Sequence, residues 1–424
     1  MILIIFALVL CAMLYGYFKE HNIYNPLFLF CGFIGFISLL ASFQFYGMNK
    51  TSDKAYFVII LGILGYICGI GFYKIVFGRL KTSISDVVIE HNRINTKLLF
   101  VAVLSMTIFS AYRFANILPL LLQGYALDYI RLVYFGVEFD GIGISHITAV
   151  IEMFLNLPLL YAIIAIIVID LISGKEREIG NFTLTLVIIW ISLATIVSGG
   201  RATIYIVAVE LFFAALILKR NLKLSKGTKT SIILIIICAI VFMFLMTSNR
   251  ATNGEYDILY SLYTYFSGSM PHMSYRLDTI DFSNQYTYGM TFFSGLLRPL
   301  MLIYKWISGS FPDVYQMTLD IGVQLQTAVD IGTGKSFNAF VPSFFYFYFE
   351  YGYIGVVFDS IIYGVVCQYF YIKMKLKMSK RNIALYLLII QGMLTSMIRY
   401  PFILVYYTFA FFIIIMFYKK QDKI

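Results

Sequence analysis

Apolar residues in this chain neither alternate nor recur on one face; they fill unbroken runs. Eleven runs approach or exceed the roughly 20 mostly apolar residues that cross a bilayer. They are 2–18, 26–47, 55–77, 98–118, 147–172, 182–198, 202–218, 232–247, 342–370, 383–398 and 402–418. Inside lipid the backbone must satisfy its own hydrogen bonds, so such runs are read as helices. The first has no basic leading segment and no small-residue cleavage site, and is expected to be a retained helix. No hydrophilic domain or Pro/Ser-rich linker interrupts the series, and no internal period is evident. The expectation is one all-α polytopic membrane domain over 1–424, with about 11 transmembrane helices and one long extracytoplasmic loop.

Composition agrees. Of 424 residues, 60% are hydrophobic and 13% charged, and mean hydropathy is +0.84. Soluble domains lie nearer half apolar and a quarter charged, so a water-soluble fold is excluded. Cys11, Cys31, Cys68, Cys238 and Cys367 lie far apart within apolar runs. They are read as small buried hydrophobes.

Charge fixes a side. The formal net charge is +10, which on a soluble chain would suggest nucleic acid; here it is read as topology, and no nucleic acid is expected. The main basic clusters are Lys74/Arg79/Lys81/Arg93/Lys97, Lys219/Arg220/Lys223/Lys226/Lys229, Lys373/Lys375/Lys377/Lys380/Arg381 and Lys419/Lys420/Lys423. Each follows an odd-numbered run. Basic loops face the cytoplasm, so the N-terminus is placed outside and the C-terminus inside. The cytoplasmic side then holds 16 of the 20 Lys but only 5 of the 12 Arg. The other seven are Arg113, Arg131, Arg201, Arg250, Arg276, Arg298 and Arg399. Topology gives no reason for arginine outside, whereas a planar guanidinium fork suits phosphate or carboxylate. The outer face is expected to bind an anion.

The longest outer connection, 248–341, is too long for a mere link. It carries Arg250, His272, Arg276, Asp278 and Arg298 among many Tyr and Phe. The stretch Met290–Ile307 is apolar around Arg298 and Lys305, and is expected to lie along the membrane or re-enter it. Ser198-Gly199-Gly200-Arg201 joins two runs with a tight turn and an Arg at a helix start, an anion-site arrangement. A second outer connection carries Arg131 and the pair Glu138/Asp140; the pair is a weak metal candidate, and no metal is expected. Arg399 falls in the turn before the last run, either in the anion site or reaching headgroup phosphates. Glu152, Glu210, Glu350 and Asp359 are carboxylates within apolar runs, where ionisable groups are costly. Each is a functional candidate or half of a buried pair. His272 lies four residues before Arg276, and is read either as a base or as a plain loop histidine.

Two local patterns resemble the Wzy-type oligosaccharide repeat-unit (O-antigen) polymerases. One is Ser198-Gly199-Gly200-Arg201-Ala202; the other runs from Phe337-Asn338 through Tyr348-Phe349-Glu350-Tyr351-Gly352-Tyr353-Ile354-Gly355. Family members often carry Asp where Glu350 stands. The likeness in architecture covers nearly the whole chain and implies a GT-C-like fold. It also implies a membrane glycosyltransferase of the bacterial inner membrane that works without a metal or other cofactor. Such an enzyme transfers a growing glycan, with inversion, from polyprenyl diphosphate onto a new lipid-linked repeat unit. A chain-length regulator and a flippase are implied as partners beside the lipid bilayer. Arg201, Arg276 and Arg298 are the first expectations for the diphosphate site, followed by Arg131, Arg250 and Arg399. His272 or Glu350 is the expected base. The alternatives are an O-antigen ligase and a flippase or transporter of lipid-linked glycan.

Overall fold

A computed structural model describes residues 1–77, 92–125, 129, 146–174, 177–198, 200, 202–218, 258–283, 285–332, 334, 336–337 and 341–420. The chain opens with α1 (Ile2–Glu20), closed by His21 in the left-handed region at φ 52°. Asn25 then accepts the Phe28 N–H at 2.9 Å and caps α2 (Leu27–Ser42), whose first turn is a π-helix. Ser52 caps α3 (Asp53–Phe77) through the Ala55 N–H at 3.1 Å. Asp53 in the first turn of α3 and Lys74 in its last complement the helix dipole.

After the short strand β1 (Asn92–Ile94) come α4 (Thr96–Leu122), α5 (Ile147–Ile172), α6 (Asn181–Ser198) and α7 (Ala202–Leu218). The long loop is built of helices: α8 (Ile258–Ser267), α9 (Ser269–Ser283), α10 (Ser294–Ser308) and α11 (Asp313–Gln324). A two-stranded hairpin, β2 (Val329–Asp330) against β3 (Ser336–Phe337), follows. The chain ends with α12 (Ser343–Tyr351), α13 (Tyr353–Leu376), α14 (Lys380–Thr395), α15 (Val405–Phe417) and β4 (Tyr418–Lys420).

Six described helices, α1, α3, α4, α5, α6 and α13, are long and apolar enough to cross a membrane, and α2, α7 and α15 are shorter apolar helices. The chain is therefore an all-α, multi-pass membrane protein by the length and composition of its helices. Three expected spans differ. The run 342–370 is broken at Gly352, whose φ of 62° and ψ of −139° no helix accommodates; α12 before the break is buried from Ser343 to Glu350. The run 383–398 becomes the 16-residue α14. The run 402–418 begins as a single 3-10 turn at Pro401–Ile403 before α15. The expected span 232–247 lies outside the described residues.

The chain divides into two compact units. Unit 1 comprises Met1–Val88, Asp257–Met378 and Ile389–Thr408. In it α3 and α13 meet across glycines. A Cβ on Gly65 would stand 2.8 Å from the Val357 carbonyl oxygen, and one on Gly364 2.5 Å from that of Tyr66. Such small-residue seams let membrane helices approach backbone to backbone. Beside the seam, Phe30 packs on Tyr66 with ring centroids 4.2 Å apart, and Phe347 and Phe292 both pack on Tyr400 at 4.8 and 4.9 Å. At the C-terminal ends of α1, α3 and α13, Glu20 meets Lys375 at 2.8 Å, Lys74 at 3.6 Å and the Tyr371 hydroxyl at 3.0 Å. These three helices therefore run in the same direction, as the odd-numbered rule of basic loops requires.

Unit 2 comprises Ile89–Tyr256, Ser379–Leu388 and Phe409–Ile424. Its polar groups are cross-linked in two places. Glu152, in the π-helical turn of α5, receives Arg113 of α4 at 3.3 Å and Asn156 at 3.0 Å; Asn156 in turn accepts the Trp190 indole N–H at 2.9 Å. Glu152 is thus half of a buried pair that ties α4, α5 and α6. Elsewhere Lys380 bridges Asp170 and Glu178, each at 3.0 Å. Nearby, β1 pairs antiparallel with β4.

Candidate functional site

Lys54 opens α3, and at 1.5 Å per residue it stands about 30 Å from Lys74 at the other end. The helices of the loop gather at the Lys54 end. Tyr263 of α8 donates to the Leu40 carbonyl at 2.8 Å, and Ser274 of α9 accepts the Ser52 N–H at 3.0 Å. Lys54 itself donates to the Leu277 carbonyl at 3.2 Å, pairs with Asp281 and lies 5.1 Å from the Tyr348 ring centroid. Tyr348 donates to the other oxygen of Asp281 at 2.7 Å. Partial burial pushes the Asp281 carboxyl up, but the hydrogen bonds from Lys54 and Tyr348 outweigh it and hold the group below the usual carboxylate range.

Glu350 is 0% exposed. Its carboxylate accepts the Thr287 hydroxyl at 2.9 Å and the backbone N–H groups of Gly289 and Phe292. The adjoining backbone is stitched as well, Thr287 N–H to the Phe349 carbonyl at 3.0 Å and Tyr288 N–H to that of Glu350 at 3.3 Å. Tyr288 and Gly289 both have positive φ, 51° and 92°, and the turn they make brings the Gly289 and Phe292 N–H groups onto one carboxylate. That is an anion nest, and the chain fills it with its own carboxylate. Glu350 fixes the turn from which α10 starts.

His272 and Arg276 lie one turn apart on α9. The Arg276 Nε donates to His272 Nε2 at 3.0 Å, and Nη2 donates to the carbonyls of Gln324 at 2.7 Å and Thr327 at 3.2 Å. Those carbonyls are at the C-terminal end of α11, where the helix dipole is negative. Nη2 is thus committed to closing α11 and Nε to His272, and burial lowers the pKa of the guanidinium. His272 is 0% exposed, with Phe337 edge-on at 5.7 Å.

Arg298 sits at the other end of α11. Its guanidinium lies 5.2 Å from the Phe311 centroid and 6.0 Å from that of Tyr315. Its Nη1 is buried with no hydrogen-bond partner among the described residues. Lys305, seven residues on along α10, approaches the Phe311 ring at 4.8 Å. The same helix exposes Leu300, Ile303, Ile307 at 76% and Trp306 at 87%. An amphipathic helix with aromatic and basic residues in this pattern suits a membrane interface; it begins four residues after the start and ends one residue beyond the end of the stretch read from sequence around Arg298. Tyr315 and Gln324 are nine positions apart, about 14 Å of helix axis, so Arg276 and Arg298 do not form one fork. Arg399 donates to the Tyr346 hydroxyl on α12. Arg131, Arg201 and Arg250 lie outside the described residues, as do Glu138 and Asp140. Of the glycine turn, Gly200 is described, its N–H donating to Ser198 Oγ at 3.3 Å.

Between α9, α11 and the end of α12 lies a cavity of about 140 Å³. Thr279 and Ile280 line it from α9, Met317, Asp320, Ile321 and Gln324 from α11, Phe349 from α12, and Gln285 from the loop after α9. Arg276 holds the Gln324 carbonyl and the Glu350 turn holds the Phe349 carbonyl, so both features border it. Sequence reasoning weighed arginines and aromatics in this loop and passed over Asp320, Gln324, Gln285 and Thr279. The available signal was Gln316-x3-Asp320-x3-Gln324, three polar side chains on one face of a helix. Among the described residues no three His, Cys, Asp or Glu side chains gather as a metal-ligand set. No protein-family model, curated protein or solved structure matches this chain.

Proposed function

We propose that the protein is a membrane glycosyltransferase that polymerises lipid-linked oligosaccharide repeat units, residing in the bacterial inner membrane with its N-terminus outside and C-terminus in the cytoplasm. The observation that carries the reading is α10. It offers an exposed apolar face to lipid and carries Arg298, whose Nη1 is buried with no partner among the described residues; an open, polar-rimmed cavity lies farther along α11. An amphiphile with a phosphate at the membrane surface and a polar head group above it fits that arrangement. A polyprenyl-diphosphate-linked glycan is such a molecule.

In the proposed step, a hydroxyl oxygen of the incoming repeat unit attacks the anomeric carbon of the growing glycan. The bond from that carbon to the diphosphate oxygen breaks with inversion, and the electron pair leaves on the diphosphate. Arg298, with Lys305 nearby, stabilises that developing charge, as fixed cationic donors do where water is excluded. Arg276 acts as a positioning residue for α11. Glu350 is assigned to anchoring the turn before α10. His272 is the candidate to receive the hydroxyl proton, which requires Arg276 to release Nε2.

The test is the purified full-length protein in lipid nanodiscs, supplied with a lipid-linked repeat unit alone. A ladder of polymer lengths is expected. Product formed only when a different acceptor is added assigns a ligase, and movement of substrate across a bilayer without new glycosidic bonds assigns a flippase. Chain-length regulators and flippases remain proposed partners, to be sought by whether a co-purifying protein narrows the ladder.

A further inference from the structure

Where α1, α3 and α13 end together, Glu20 supplies one negative charge, and Lys74 and Lys375 already share it at 3.6 and 2.8 Å. Two further lysines stand outside that exchange. Lys19 of α1 and Lys373 of α13 pair with no carboxylate among the described residues. Each donates instead to the tyrosine one turn before it, Lys19 to the Tyr15 hydroxyl at 3.0 Å and Lys373 to that of Tyr369 at 3.1 Å. Each ammonium also lies against the same ring, 5.3 and 5.2 Å from its centroid.

Helix α3 meets both couples. Its Lys74 approaches the Tyr15 ring at 5.8 Å, and its Tyr73 ring lies 6.4 Å from that of Tyr369. Lys19 and Lys74 thus converge on one ring from two helices, a closeness of like charges that an anion between them relieves.

The chemistry of the couples narrows the anion. A lysine ammonium has three N–H donors, and a phenol that accepts one of them still has its own O–H to give. Each couple therefore sets a cation and a hydroxyl donor side by side. Charge-assisted donors of this kind suit phosphate oxygens.

Position narrows the source of the phosphate. All three helices are long and apolar enough to cross a membrane, and Lys19, Lys74 and Lys373 fall in their last turns. Beside them Leu14, Phe18, Phe72 and Ile75 are exposed, apolar side chains of the kind that acyl chains cover. A phosphate with acyl chains attached meets both parts of this surface, whereas a soluble anion meets one. Basic pockets between helix ends are where anionic headgroups bind.

We propose that this end of unit 1 binds the headgroup phosphate of an anionic phospholipid, held by the Lys19–Tyr15 and Lys373–Tyr369 couples. The site lies at the opposite end of α3 from Lys54 and does not depend on the polymerase reading.

The test needs no turnover. Full-length protein in neutral detergent is titrated with phosphatidylglycerol or phosphatidylcholine, and native mass spectrometry reads the lipid-bound fraction. Wild type is expected to hold phosphatidylglycerol about tenfold more tightly or better. Lys19→Gln and Lys373→Gln are each expected to weaken it about fivefold, and the double variant about 25-fold, as removal of surface lysines from an anionic lipid does. Lys419→Gln, the same charge change on β4, is expected to leave it unchanged. Tyr15→Phe keeps the ring and the charges; it is expected to weaken binding by a smaller factor and serves if the double variant does not fold. Equal affinity for the two lipids, wild-type binding by the folded Lys19, Lys373 and Tyr15 variants, or an equal loss from Lys419→Gln overturns the site. Inorganic phosphate that displaces the lipid at equal concentration overturns the lipid assignment in favour of a soluble anion. Absence of polymer from protein that binds phosphatidylglycerol as expected would count against the polymerase reading alone.

Discussion

The two ends of unit 1 use charge differently. At the ends of α1, α3 and α13, Glu20 gathers Lys74, Lys375 and the Tyr371 hydroxyl, and the charges there answer one another. At the Lys54 end the larger charged groups are sorted. Glu350 is spent on the Thr287 hydroxyl and two backbone N–H groups, Arg276 on His272 and two carbonyls, and Lys54 on Asp281, while Arg298 keeps a buried N–H with no partner among the described residues. A buried donor without a partner costs free energy, and a fold tolerates that cost where a ligand supplies the partner. The contrast separates structural charge from functional charge more clearly than counting arginines by side.

The largest effect is expected from Glu350→Ala. It strips the partners from the buried N–H groups of Gly289 and Phe292, at a cost of about 3–5 kcal/mol if the turn cannot relax. Hydrogen exchange is expected to quicken over residues 285–300 while residues 15–25, at the Glu20 end, stay as protected as in wild type. Uniform loss of protection at both ends would dissolve the distinction. Glu350→Gln keeps one acceptor oxygen and should lose less.

Arg276→Lys comes next. Lysine keeps the charge but cannot bond His272 and both carbonyls of the α11 terminus together, so a loss of about 1–3 kcal/mol is expected. Thermal unfolding read by the fluorescence of Trp306 and Trp190 measures it. An unchanged melting temperature with abolished activity would instead place Arg276 on the substrate.

Smallest is the pH term. The Asp281 carboxyl is held below its usual range in the fold by Lys54 and Tyr348. Its contribution is therefore complete above the unfolded carboxylate value near ~pH 4 and lost as pH falls through the lower folded value. With 47% of its side chain exposed, solvent screening limits that contribution to a few tenths of a kcal/mol, about the size of a surface pair. The difference in melting temperature between wild type and Asp281→Asn should shrink as pH falls through the acid range. A difference that grows on acidification would contradict the pairing.

Much of the fold was readable because membrane helices announce themselves by uninterrupted apolarity. The amphipathic helix around Arg298 was readable for the same reason, since its apolar and basic positions are local. What the sequence hid was long-range. Arg276 meets carbonyls 48 and 51 residues away, and Glu350 meets N–H groups 58 and 61 residues back in the chain. Backbone carbonyls and N–H groups are the same at every position, so no residue pattern marks them as partners. The break at Gly352 was masked because Tyr351-Gly352-Tyr353 sits in an apolar run, where hydropathy averages over a single left-handed residue.

The most direct measurement compares polymer yield per folded molecule for Arg298→Ala and Lys375→Met, one residue from each end of unit 1. Lys375 has its partner in Glu20, and its loss is expected to lower stability while leaving the specific yield of the remaining folded protein unchanged. Arg298→Ala is expected to lower that yield about 100-fold, as removal of one transition-state donor does, with its melting temperature near that of wild type. Wild-type ladders from folded Arg298→Ala protein would contradict the assignment of this end of the molecule to the substrate diphosphate.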